Sequence, residues 1–386
     1  MSDQQLHPDD PFLAESEVEA IETDFGATDD DTPRFQLTRK KVIAAAIFVA
    51  IAIAFLYVVL PQIGGLNKTW QRLDEGDGNW LLLAALFEVG SYAGYILLLK
   101  VVVPSNKERF NWTVAYLVTM AGVAATRLFA AAGAGGLALT FWAIRRTGVG
   151  RREVAVRLSA FMVCLYSVFM VSVLVAGIGL SSGLFNGPAP IGMTVVPAVL
   201  AATVIVIFLL FALVPGDSER RLRAWSNGRG EVAAAAGKLA VAPAAIAAGT
   251  RVALRLLRER HPGMLGAIAW WYFDIAVLWA CLHAFGGDPA VVPIVMAYFV
   301  GQLGNLLPLP GGIGGVEGAM VAALAAFGVE ASLALVAVLS YRAFSFWLPT
   351  IPGAIAFVQL RRRTVKWAEE DADGDSPAAA RDTLAA

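Results

Sequence analysis

The sequence predicts an all-α polytopic membrane protein, and three observations predict it. Apolar runs of roughly 18–20 residues or more, long enough to cross hydrocarbon as helix, recur along the 386 residues. Only 16% of the residues are charged, against about a quarter in soluble domains. Basic residues gather between the apolar runs, as they do in cytoplasmic loops.

The ends come first. Residues 1–41 read as a disordered acidic cytoplasmic tail, with eleven of the 31 acids before Thr32 and few large apolar residues. An acidic opening, with the first apolar run starting only at Val42, is not a secretory signal. Residues 361–386 read as a second polar cytoplasmic tail. Cys164 and Cys281 both fall inside apolar spans, which argues against a disulfide framework or a CxxC metal site.

Between the tails, spans are expected at 42–60, 80–103, 156–180, 191–214, 264–286 and 332–360. Two longer apolar stretches, 113–144 and 291–328, are interrupted by glycines. Charge sets their course. Arg34, Arg39, Lys40 and Lys41 hold the N-terminus in the cytoplasm, and Lys100, Lys107 and Arg109 mark the return to it. Arg145, Arg146, Arg151, Arg152 and Arg157 follow 113–144, so that stretch must enter from the cytoplasm and come back. It reads as a hairpin turning near Gly133, Gly135 and Gly136. The basic loop 215–262 is cytoplasmic, and span 264–286 leads out. Because 332–360 must deliver Arg361, Arg362 and Arg363 to the cytoplasm, 291–328 is a second hairpin entered from outside. Both termini are then cytoplasmic.

The two hairpins resemble each other. "YLVTMAGVAATRLFAAAGAGGLALTFWAIRRTGV" begins at Tyr116 and "YFVGQLGNLLPLPGGIGGVEGAMVAALAAFGV" at Tyr298. Each opens Tyr-x-Val, carries Gly-x-Gly-Gly and closes Gly-Val. About eight membrane segments in two inverted repeats, each with a Gly-rich broken or re-entrant hairpin, is an architecture of transporters. The second turn holds Pro310, Gly311, Gly312, Gly314 and Gly315, with proline expected to end the incoming arm at Leu307–Pro310. The outgoing arm, about 316–328, makes roughly 20 Å of helix, short of the ~30 Å hydrocarbon core. Its N-terminus therefore lies at membrane depth, where amides and dipole favour an anion. Close helix packing through small residues is the competing explanation.

Five ionisable residues fall within apolar stretches: Glu88, Arg127, Asp274, Glu317 and Arg342. Each costs about 2.5–3.5 kcal/mol at a helix centre, so each should face inward and find a partner. Arg127 precedes the first turn, Glu317 follows the second, and Arg342 lies deep in the last span. Arg127 and Arg342 could offer guanidinium forks to a phosphate. Glu88 and Asp274 serve equally well as internal ion pairs or as substrate contacts. Arg251, Arg255 and Arg258 share a helix with Val252, Leu256 and Leu257, a basic amphipathic segment suited to the anionic inner leaflet or to solvent. The "DADGD" run at 371–375 places its glycine too early for a calcium loop, and His7, His261 and His283 are scattered. No metal, cofactor or nucleic-acid partner is expected.

"LPLPGGIGGVEGAM", followed by "SYRAFSFWLPTIPGAIAF", resembles the membrane region of lysylphosphatidylglycerol synthases and their stand-alone flippase-like relatives. The Pro-Gly-Gly-x-Gly-x-x-Glu core falls on Pro310, Gly311, Gly312, Gly314 and Glu317, and a Tyr-Arg pair on Tyr341 and Arg342. The likeness covers about residues 42–360, marking them as a flippase-like transmembrane domain. It implies movement of a lipid, such as an aminoacylated phospholipid or polyprenyl-linked glycan, between leaflets of the plasma membrane. A chain of 386 residues leaves no room for the synthases' aminoacyl-transferase domain, so no enzymatic activity is expected. The first turn departs from the pattern in lacking a proline and an acid. Alternatives are a polytopic lipid-modifying transferase using Asp274 or Glu317, or a membrane partner of a glycosyltransferase.

Overall fold

The computed structural model describes residues 75–103, 109–128, 134–213, 241–306 and 312–374. The expected span 42–60, the acidic tail, Gly133, Pro310 and Gly311 lie outside these residues. Every element in the described residues is helical. In chain order they are α1 (Gly78–Val102), α2 (Trp112–Leu128), α3 (Ala134–Arg146), α4 (Arg151–Ser181), α5 (Ile191–Ala212) and α6 (Val241–Arg258). There follow α7 (Met264–Ala284), α8 (Val291–Gln302), α9 (Gly315–Ala326), α10 (Ala331–Arg342) and α11 (Leu348–Gly374). A 3₁₀ turn, Leu303–Leu306, extends α8, and a π turn, Ala343–Trp347, joins α10 to α11.

Five helices among the described residues are long and apolar enough to cross a membrane: α1, α4, α5, α7 and the continuous run Ala331–Glu370. Helix α5 shows why water is the wrong solvent. It carries no charge along its 22 residues, yet Val199, Leu200 and Leu210 are all more than half exposed. A contiguous apolar surface of this kind would drive a soluble protein to aggregate; in lipid it is the expected exterior.

In hydrocarbon, packing and polar contacts must supply the association that water would drive elsewhere. Helices α1 and α7 make the closest pairing, crossing where Gly94 meets Gly266. A Cβ at Gly94 would stand 2.7 Å from the Gly266 carbonyl oxygen, and one at Gly266 would stand 2.5 Å from that of Gly94. Any larger residue would force the backbones apart. Close by, the Ser91 hydroxyl donates to the Trp270 carbonyl at 2.8 Å.

Both interrupted stretches fold back on themselves. Gly136 of α3 lies against Gly122 and Thr126 of α2, and Thr140 lies against Gly122. In the second hairpin Gly301 meets Met320, and Gly304 meets Gly315 and Val316. The incoming arm leaves α-helical geometry at Gln302, earlier than the expected proline stop at Leu307–Pro310. Glycine contact with the returning arm at Gly304 takes effect before any proline can. Gly312 and Gly314 turn the chain at φ +67° and +84°, conformations that an L side chain strains to adopt.

Two further stretches carry structure that composition alone does not specify. The tail expected from residue 361 continues α11 as helix to Gly374, where Glu370 lies 3.6 Å from Arg109. Helix α6 turns part of its apolar face into the protein. Val252 and Leu256 are buried, Leu257 is exposed, and Gly249 presses on Ser159 and Ala160 of α4. Burial against α4 and α5 satisfies its apolar face within the protein.

Candidate functional site

Both hairpins border one cavity of about 340 Å³. Gly136 reaches it from the first and Gly312 from the second. Of the five ionisable residues singled out in the sequence, Glu88 on α1, Arg127 on α2, Asp274 on α7 and Arg342 on α10 all line it. Glu317 stands behind Arg342 and accepts from its Nε at 2.7 Å. Residues as far apart in sequence as Glu88 and Arg342 thus converge on one site.

Glu317 has two tasks. One carboxylate oxygen pairs with Arg342; the other accepts the backbone N–H of Gly314 at 2.7 Å, at the N-terminus of α9. The helix end that the sequence reading offers to a bound anion is therefore occupied by the protein's own carboxylate. Both partners are buried, with Glu317 1% and Arg342 6% exposed, so the pair neutralises two charges that would otherwise be costly in hydrocarbon.

Arg127 is placed differently. Its terminal nitrogens donate to the carbonyls of Ser345 (2.6 Å) and Phe346 (2.5 Å) and to the hydroxyls of Thr350 (3.0 Å) and Tyr92 (2.7 Å). Widening of the helix into the π turn presents those two carbonyls to the guanidinium, a distortion frequent at functional sites. All four acceptors are neutral, so these bonds satisfy the donors without cancelling the charge. The fork expected to grip a phosphate is already engaged with the protein. Phe346 lies under both guanidinium groups, 4.9 Å from that of Arg127 and 4.2 Å from that of Arg342.

Asp274 gathers hydroxyls. Tyr298 of α8 and Tyr341 of α10 both donate to its Oδ2, Tyr341 at 3.0 Å. Gln302 at the first arm's end donates to the Tyr341 hydroxyl at 3.3 Å and accepts from Asn305 at 2.8 Å. Glu88 lines the same cavity as Asp274 and interacts with it, and each carboxyl has one buried oxygen without a hydrogen-bond partner among the described residues. The rest of the wall is aromatic: Trp270 makes edge contacts with Tyr92 and Tyr95 at centroid separations of 5.3 and 4.8 Å. The lining is therefore amphipathic, with charge at one part and rings at another.

Sequence reasoning missed the tyrosines. Tyr298 and Tyr341 were visible as motif letters, but nothing in an apolar helix marks which face meets a carboxylate. Tyr116, the counterpart of Tyr298 in the first hairpin, is 40% exposed, so the resemblance of the repeats does not extend to this role.

The chain is similar to two membrane proteins of Methanothermobacter thermautotrophicus (strain Delta H), both described as UPF0104 membrane protein. One is 36% identical over 97 residues, covering 25% of this chain and 28% of the relative. The second is 31% identical over 87 residues, covering 22% and 26%. The matched stretches are thus about a quarter of the length of these curated relatives. Over residues 43–353 the sequence matches the model of the lysylphosphatidylglycerol synthase TM region, and with its helical, membrane-suited fold this chain belongs to that family.

Proposed function

We propose that this protein is a flippase-like transporter that moves an anionic or lipid-linked substrate between the leaflets of the plasma membrane, with both termini cytoplasmic. One observation carries the reading: two broken helices from distant parts of the sequence border a single amphipathic cavity that holds buried charge. Irregular backbone at membrane depth is tolerated where it lines such a cavity, and transporters place their sites there. The volume, about 340 Å³, is near the lower end of the ~300–1,000 Å³ usual for small-molecule sites. That is room for a headgroup, with the acyl chains left in lipid.

The element order supports the eight-segment inverted repeat. A long helix, a broken hairpin and a second long helix occur as α1 to α4 and again as α7 to α11. Contacts interlock the two sets: α1 packs on α7, α2 of the first hairpin on α11, and α8 of the second on α4. Rocking of one set against the other is a route to alternating access. Arg127 and the Arg342–Glu317 pair form the charged part of the site.

Transport of labelled phosphatidylglycerol, read as leaflet exposure in reconstituted phosphatidylethanolamine/phosphatidylglycerol vesicles, tests this. Thr119 on α2 is buried against the cavity, and its hydroxyl has no hydrogen-bond partner. Thr119→Phe fills the space without touching a charged group and should abolish lipid movement while leaving a monodisperse protein. Wild-type rates in that variant would rule out the cavity as the path.

A further inference from the structure

Glu88 and Asp274 present a problem of hydrogen-bond accounting. Glu88 is 4% exposed and Asp274 8%, and both line the cavity. The two carboxyls are close enough to interact, yet Oε2 of Glu88 and Oδ1 of Asp274 are buried without a hydrogen-bond partner among the described residues. Two carboxylates in contact repel, and an orphaned oxygen in a low-dielectric interior costs the desolvation it gave up. A single proton resolves both defects. The tyrosines say where it sits. Tyr298 and Tyr341 both donate to Oδ2 of Asp274, and donated hydrogen bonds stabilise a carboxylate more than a neutral carboxyl, so they favour Asp274 as the ionised member. The proton then belongs to Glu88, whose O–H donates to Oδ1 of Asp274.

Charge balance extends the argument. Arg342 and Glu317 cancel, and Arg127 contributes +1. With one proton, the Glu88–Asp274 pair contributes −1, so these five groups sum to zero. With none, the sum is −1; with two, it is +1. An entering headgroup of charge −1 restores neutrality only if the pair takes up its second proton, and net charge in hydrocarbon is costly. Among the described residues, the other titratable or charged groups facing the pair are Tyr92 and Tyr95 from α1, Arg127 from α2, Tyr166 from α4, Cys281 on α7, Tyr298 from α8, and Tyr341 with Arg342 from α10.

We propose that Glu88 and Asp274 form a proton-binding site that holds one shared proton when the cavity is empty and gains a second from solvent as a singly anionic headgroup enters. The second proton adds to the Asp274 carboxylate, is carried with the anion, and returns to water on the other side. No covalent bond changes except O–H. The coupling half of this proposal rests on the transport reading above; the shared proton does not.

Infrared spectroscopy of the full-length protein in phosphatidylethanolamine/phosphatidylglycerol vesicles separates the two. At neutral pH a carboxylic-acid C=O band should be present, shift on exchange into D2O, and disappear in Glu88→Gln. Glu259→Gln, on the exposed end after α6, should leave it in place. Absence of the band in wild type, or its survival in both Glu88→Gln and Asp274→Asn, overturns the shared proton. In the same vesicles, an acid gradient should accelerate movement of labelled phosphatidylglycerol severalfold, and Glu88→Gln should abolish that response. Acceleration by a sodium gradient instead, or lipid movement indifferent to pH, overturns the coupling. If the band behaves as expected but no lipid moves, the proton site stands and the transport reading fails.

Discussion

At the scale of single residues, the Arg342–Glu317 pair separates architecture from function. Both side chains are buried, and Glu317 also ties the start of α9 to itself through the Gly314 N–H. Removing one partner of such a pair leaves an uncompensated charge and costs about 3–5 kcal/mol. Glu317→Gln keeps the shape and can keep the bond to Gly314 through its amide oxygen, but loses the charge. We expect a folded, less heat-stable protein without lipid movement, and the same from Arg342→Gln. Because the two are partners, the double variant should be no worse than either single in thermal melts. Normal transport by Glu317→Gln would make the pair a brace and nothing more. These residues were legible in the sequence because charge inside an apolar run is expensive and therefore rare. Tyr298, Tyr341 and Tyr92 were not, because an apolar helix hides which of its faces is the inner one. Arg127 was legible as a buried-span guanidinium, but the π-turn carbonyls that hold it were not, because they belong to a distant segment.

At the scale of elements, the hairpins are built by glycines of two kinds, and substitution should tell them apart. A Cβ on Gly304 would stand 2.4 Å from the Gly315 carbonyl, between the arms of the second hairpin. A Cβ on Gly318, one turn into α9, would meet nothing within 4 Å. Gly304→Ala should therefore destabilise the protein by about 1–3 kcal/mol through overpacking. Gly318→Ala should be neutral or raise stability by up to about 1 kcal/mol, since alanine is the better helix former. Melting of the detergent-solubilised protein, followed by loss of the monodisperse peak, measures both. Equal effects would mean that the close approach at Gly304 is not what holds the arms together. The sequence showed that 291–328 must be broken, but not that Gly304 presses on the returning arm ahead of the proline. A close approach is a property of two segments, and one segment's letters cannot show it. For the same reason the letters of α6 cannot show that α4 is its partner.

At the scale of the whole molecule, the open question is how the hairpins lie in the membrane. Helices α8 and α9 have 12 residues each, about 18 Å of helix, and neither can cross ~30 Å of hydrocarbon alone. Helix α3, at 13 residues, is equally short. If each hairpin dips in and returns, its two ends must lie on the same face, and the basic clusters predict opposite faces for the two hairpins. Single cysteines make this measurable, because both native cysteines are buried and should resist an aqueous thiol reagent. Asn111 and Gly150 flank the first hairpin, and Ala290 and Ala331 flank the second; all four are exposed. Cysteines at Asn111 and Gly150 should label only from the cytoplasmic side, and those at Ala290 and Ala331 only from outside. Asn186, beyond the 31-residue α4, should label with the outer pair and fixes the direction of a full crossing. Labelling of Ala290 and Ala331 from opposite faces would turn the second hairpin into a spanning unit. The inverted repeat would then lose its basis, since Gly150 and Asn186 would still set the first hairpin's orientation while the second no longer mirrored it.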